Sequence, residues 1–329
     1  MPDWIIWVVI ILALVFDFTN GWNDAANSIA TVVSTRVLSP LQAVILAAVL
    51  NVMGAFYSDA VAKTIGGGLV DPTQVTQLVI LATLVAGITW NTVMTIAGLP
   101  ISASHALIGG LIGGAVAKGG WAIVNSGGIR TVLLAMLLSP LLGGLLGWLC
   151  MKVINFLMRN QAPASVTAWF KRLQLISVAF VSFSHGSGDA QKVMGIITLA
   201  LFAGGYVQDL SVPMWVVVSA ALAMGLGTMV GGWGVIKTLG MKMLRLQPVH
   251  GFAAETAAAT FLLFAARVGI PVSSTHTITG SIVGVGLARR SAAVRWGIAN
   301  KIVYAWVLTL PGCAFVAWLV YKGLALIAM

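Results

Sequence analysis

Uncharged apolar runs of membrane-crossing length dominate this chain. By hydropathy they fall at 4–34, 39–58, 75–97, 98–117, 131–158, 173–205, 213–236, 252–268, 269–288 and 302–327, and a spanning helix takes roughly 20 predominantly apolar residues. The fold class read from this is an all-α polytopic membrane protein of ten segments, with short loops and no sizeable water-soluble domain. Charged residues make up only 8% of the chain, against ~25% in a soluble domain. Function must therefore reside within the bilayer.

The formal charge of +10 could point to nucleic acid, but the Lys and Arg are scattered through short loops, the pattern that orients membrane proteins. No nucleic-acid partner is expected. Counted on alternate loops, Arg36, Lys152, Arg159, Lys171, Arg172, Lys237, Lys242, Arg245, Arg289, Arg290, Arg295 and Lys301 fall on one side. Lys63, Lys118, Arg130 and Lys322 fall on the other. Because cytoplasmic loops hold the excess, both termini are expected outside a plasma membrane. Met1-Pro2-Asp3-Trp4 lacks the basic start of a secretory leader, so the first segment is expected to stay. Cys150 and Cys313 are too few and too far apart for a disulfide framework or metal site.

The most polar interval, 159–172, reads as a cytoplasmic linker between halves 1–158 and 173–329, each of five segments. An odd number of crossings per half would insert the second half upside down. Internal repeats agree with that division. FTNGWNDA at 18–25 aligns without a gap on FSHGSGDA at 183–190, and GLPISASH at 98–105 on GIPVSSTH at 269–276. The second copy begins 165 residues after the first in one pair and 171 in the other. Two pairs in register argue for duplication, and inverted repeats with broken or re-entrant helices near the midplane are the build of many secondary transporters.

The first block carries Asp24 and its mate Asp189. An Asp inside a bilayer costs several kcal/mol and is kept where it faces a cavity, partner or ion. Asn20, Asn23 and Asn27 recur at helical spacing beside Asp24, so they share a face with it. Gly21 or Gly186 is expected to break the helix and free carbonyls. Carboxylate, amide and carbonyl oxygens suit a hard cation, Na+ at Asp24 and Asp189, or a proton; Asn and Ser can equally serve as glue between membrane helices. Ser184 replaces Thr19 in the second copy, and Lys192, three residues after Asp189, is placed to neutralise it. Glu255, in GFAAETAAATFLLF, is a further intramembrane carboxylate for cation or proton coupling.

The second block, P-x-S-x-S/T-H, has no carboxylate. Pro100 and Pro271 should break the helix and restart it at a Ser/Thr-rich N-terminus, where unpaired N–H groups suit an anion. Ser102, Ser104, Ser273, Ser274 and Thr275 add hydroxyls, although a single Ser there can simply cap its own helix. His105 and His276 end the blocks and read either as hydrogen-bonded structural residues or as anion or proton contacts.

With these residues in hand, the chain resembles the inorganic phosphate transporter (PiT) family of sodium- and proton-coupled carriers and related sulfate permeases. The matching elements are Gly21-Trp22-Asn23-Asp24-Ala25-Ala26-Asn27, His185-Gly186-Ser187-Gly188-Asp189-Ala190-Gln191-Lys192 and both P-x-S-x-S/T-H blocks. The resemblance implies an inverted-repeat carrier in which two hairpin-like elements meet at a central anion site, with cations near the Asp blocks. Gly188 stands where the family pattern has Asn, Ala30 stands where a Gly is usual, and the short linker replaces a long central loop.

The expectation is therefore a cation-coupled phosphate symporter, not an enzyme, with no cofactor beyond Na+ or H+ as coupling ion. A homodimer is compatible with it. The rivals are a sulfate permease of the same fold, an intramembrane enzyme using Asp24 with Asp189 or Ser102 with His105, and a non-transporting membrane subunit.

Overall fold

The computed structural model describes residues 4–327; Met1 to Asp3, on which the leader reading rests in part, lie outside the described residues. The described chain is helical throughout, apart from turns and one isolated bridge between Val70 and Val124. Its first part runs α1 (Trp4–Ser34), α2 (Pro40–Ala55), α3 (Ala60–Gly68), α4 (Gln77–Ile96), α5 (Ala103–Gly119) and α6 (Ser126–Leu157). The second runs α7 (Pro163–Ala203), α8 (Met214–Val230), α9 (Trp233–Lys237), α10 (Pro248–Val268), α11 (Ser274–Arg289) and α12 (Trp296–Ile327). Among these, seven helices are long and apolar enough to span a membrane. The count rises to nine if α2 with α3, bent by 69°, and α8 with the α9 region, bent by 62°, each form one span. The remaining predicted segment, 269–288, corresponds to α11, at 16 residues shorter than a full crossing.

Proline and its neighbours set the boundaries. Pro40 opens α2 behind Ser39, whose side chain accepts from the backbone of Gln42 in a capping box, an arrangement worth about 1 kcal/mol. Between α4 and α5, and again between α10 and α11, the chain turns through Gly98 (φ 68°) and Gly269 (φ 75°). A side chain is strained in that left-handed region, and Pro100 and Pro271 follow two residues later. The expected breaks at the PxS blocks are present. Pro140 and Pro311, by contrast, sit inside unbroken 32-residue helices. Polar neighbours can re-satisfy the carbonyls that such prolines release in membrane helices.

One local expectation is corrected. Gly21 and Gly186 break nothing: each lies within a continuous helix, α1 or α7. They are contact points instead, because a Cβ on Gly21 would strike the Met224 carbonyl of α8, and one on Gly186 the Asn51 backbone of α2. The interval 159–172 is mostly helix, since Pro163 occupies the first turn of α7. A proline there leaves no hydrogen bond unmade, and the residues after it carry no breaker.

The order of elements recurs: a long helix, a bent pair, a helix ending in a glycine turn, a Ser-capped helix and a long proline-containing helix. Packing crosses the chain's midpoint. α1 lies on α8, α2 on α7, α5 on α12 and α6 on α11. α6 and α12 turn large apolar residues outward, among them Leu137, Leu141, Tyr304 and Val307, which suits a lipid-facing surface.

Candidate functional site

Contact between α1 and α7 brings Asp24 to Asp189, both almost wholly buried. His185, one turn before Asp189, completes a cluster whose ligand atoms all lie within 4.8 Å of one another. Its Nε2 is 3.7 Å from Oδ2 of Asp24 and 3.7 Å from Oδ2 of Asp189. Lys192 Nζ lies 2.6 Å from Asp189 Oδ1, so the neutralising role read for it from spacing is the geometry found.

The start of α11 supplies the donors. Ser274 Oγ lies 3.1 Å from Asp189 Oδ2 and 3.4 Å from Asp24 Oδ2, while Thr275 Oγ1 donates to Asp24 Oδ1 at 3.0 Å. Asn27 Nδ2 donates back to Thr275 Oγ1 at 3.0 Å and reaches Ser274 Oγ at 3.4 Å. The two predicted groups, anion block and carboxylate block, therefore form one network.

Which hydrogens are present follows from the outer partners. Thr228 donates its hydroxyl to Met224 O at 3.0 Å, so at 3.0 Å from Asn51 Nδ2 it accepts. Asn51 is thus oriented with Oδ1 toward His185 Nδ1, 3.2 Å away, and that ring nitrogen carries the hydrogen. In the neutral ring Nε2 then offers a lone pair. It has no hydrogen-bond partner and faces two carboxylate oxygens. Two carboxylates and this ring nitrogen converging in a buried space suit a cation or a proton.

The remaining predicted residues are distributed differently. Ser102 and Ser273 cap their own helices, accepting from the backbone N–H of His105 and His276 at 3.2 Å each. That leaves Ser102 and His105 without the contact that a nucleophile and base require. Ser104 reaches only Val272 O, at 3.5 Å, and Ser184 donates to Phe180 O at 2.8 Å. Asn23 donates to Thr95 Oγ1 at 2.7 Å. Asn20 is buried with its Oδ1 unpaired.

His105 and His276 meet with ring centroids 4.6 Å apart, and His276 stacks on Trp306. His276 Nδ1 lies 3.3 Å from Met136 O, the carbonyl four residues before Pro140 that the missing proline N–H leaves free. Glu255 lies apart from the centre: Thr31 and Gln174 donate to one oxygen and Ser177 to the other.

Sequence reasoning passed over His185 and Asn51, although His185 stands in the second copy of the repeat. It also passed over Asp17, buried with both carboxylate oxygens unpaired. Its position seven residues before Asp24, on the same helical face, was the available signal.

Ionisable groups buried among helices of spanning length mark a solute pathway, and they define the molecule as a membrane transport protein. Residues 20–165 and 158–317 match the model of the phosphate transporter family. A protein of Rhizobium meliloti named "probable low-affinity inorganic phosphate transporter" is 48% identical over 322 residues, covering 97% of this chain and 96% of its own. A Bacillus subtilis protein of the same name is 42% identical, covering 95% of each. A solved structure named "The sodium-dependent phosphate transporter" superposes with a TM-score of 0.89 at 26% identity, covering 98% of this chain and 99% of that one. The chain belongs to the phosphate transporter family, and it is a transporter, not an enzyme.

Proposed function

We propose that the chain carries inorganic phosphate across the cell membrane by symport with a cation, Na+ in the first place. It would do so by alternating access in an inverted repeat of two five-segment halves joined at 159–172, with both termini outside. The observation that carries this reading is the convergence of Asp24, Asp189 and His185 Nε2 against the hydroxyls of Ser274 and Thr275. The names of the relatives support phosphate, and the name of the superposed structure supports Na+.

The chemistry is an exchange of partners. A cation at Asp24 and Asp189 takes over the carboxylate oxygens, and Ser274 and Thr275 turn their hydroxyls toward the anion at the start of α11. An inside-negative potential opposes inward movement of an anion by about 2.3 kcal/mol per charge per 100 mV, so accumulation needs the co-transported positive charge. His105, beside His276, lines the wall of the pathway at the start of α5.

Uptake of labelled phosphate into proteoliposomes, under imposed Na+ or H+ gradients with sulfate as competitor, tests the reading. The expected result is gradient-driven phosphate uptake, stimulated by Na+ and little affected by sulfate. No uptake under any gradient would overturn it.

A further inference from the structure

Four arginines from three stretches of chain line one cavity at the end of α11. Arg245 follows the α9 region, Arg289 and Arg290 close α11, and Arg295 precedes α12; the space they share is about 340 Å3. The base beneath them is fixed: Leu244 and Val294 are buried and pack on Gly286, where a Cβ would meet both side chains. The Arg295 backbone N–H donates to Met243 O at 3.0 Å, and its guanidinium reaches Lys242 O at 3.5 Å. Among the described residues no carboxylate pairs with any of the four arginines. Asp59 pairs with Lys63, Asp71 and Asp209 accept within their own turns, and the other described acids are buried among the helices. Four like charges therefore face one space without a counter-charge of the protein's own. The guanidinium fork matches phosphate oxygens two at a time.

A groove of about 420 Å3 on the outer face of α6, α11 and α12 meets this cavity; Val283, Leu287, Trp296 and Val303 help to line it, and its surface is almost wholly apolar. The turn from Arg290 to Trp296 belongs to both features: Arg290, Ala292, Ala293 and Arg295 wall the cavity, and Trp296 walls the groove. Trp296 Nε1 donates to Ser291 O at 3.3 Å, which holds the indole on that turn. A tryptophan at such a border sits at headgroup level in a membrane. Basic groups at the end of an apolar groove that opens to lipid match a molecule with phosphate at one end and acyl chains at the other.

We infer that the arginine cavity and this groove form one binding site for an anionic phospholipid, with its phosphate on Arg245, Arg289, Arg290 and Arg295 and an acyl chain against α6, α11 and α12. The site lies at the opposite end of α11 from Ser274 and Thr275, about 20 Å along the axis. It therefore stands independently of the cation-coupled reading.

Native mass spectrometry of the purified protein, titrated with phosphatidylglycerol or phosphatidylcholine, tests the site. Wild type is expected to bind phosphatidylglycerol at about tenfold lower concentration, and Arg290→Gln/Arg295→Gln should lose most of that preference. Both arginines are exposed, so the double variant should fold, and melting in detergent checks it. Val303→Trp fills the groove and should weaken binding of both lipids. Glycerol phosphate, which has the phosphate but no chain, should displace phosphatidylglycerol only at far higher concentration; displacement at equal concentration would make this a site for free phosphate esters and overturn the lipid assignment. Equal affinity for the two lipids in wild type, or an unchanged preference in the folded double variant, would also overturn it. So would recovery of the protein only as dimers that bind no lipid, with a second copy covering the groove.

Discussion

The Ser274 hydroxyl, 3.1 Å from Oδ2 of Asp189 on α7, also stands 3.4 Å from Oδ2 of Asp24 on α1. A hydroxyl has one hydrogen, so it serves one carboxylate fully at a time and ties the state of each to the other. In Ser274→Ala the two acidic groups lose that shared donor. The Na+ concentration for half-maximal phosphate uptake should shift by several fold, about 1 kcal/mol for one hydrogen bond. Wild-type Na+ dependence in the alanine variant would remove the hydroxyl from the coupling.

Lys192 is the ammonium that balances Asp189. Lys192→Met leaves a buried carboxylate without its counter-charge and should cost about 3–5 kcal/mol in stability. Adding Asp189→Asn should recover part of that loss. Denaturation in detergent of both single variants and the double measures it, and strictly additive losses would mean the pair is not energetically coupled.

Glu255 accepts from Thr31, Gln174 and Ser177. Replacing it with Gln turns one acceptor into a donor aimed at donors, with an expected cost of about 1–3 kcal/mol. Thermal denaturation reads that cost. Na+ half-saturation should stay near wild type because the oxygens are already committed to α1 and α7; a large shift would return Glu255 to the coupling groups.

Gly186 and Gly188, two residues apart, should respond oppositely. A Cβ at Gly186 meets the Asn51 backbone, whereas one at Gly188 has only the Ala266 methyl, 4.0 Å away. Gly186→Ala should destabilise by about 1–3 kcal/mol through overpacking. Gly188→Asn should fold as wild type and add an oxygen next to Asp189, tightening Na+ binding. Isothermal titration with folded protein checks the second, and unchanged affinity would mean that the added amide does not reach the ion.

Much of the fold could be read ahead of the structure because membrane burial writes itself into composition, and because Pro100 and Pro271, each two residues after a glycine, mark breaks in the helices. What escaped was tertiary. Nothing local to Gly21 or Gly186 says whether a glycine bends its helix or admits a neighbour; the answer lies on α8 and α2, far away in sequence. The two blocks read as separate anion and cation sites share hydrogen bonds because α11 meets α1 and α7. His185 gained its weight only through Asn51 and Thr228, whose side chains fix its hydrogen.

The crossed packing of α1 on α8, α2 on α7, α5 on α12 and α6 on α11 bears on which bodies can move. A division at residue 159 would cut through all four of these contacts at once. Whatever swings during the proposed turnover must then be assembled from both ends of the polypeptide. Cross-links between α1 and α8 should therefore be tolerated by a working carrier.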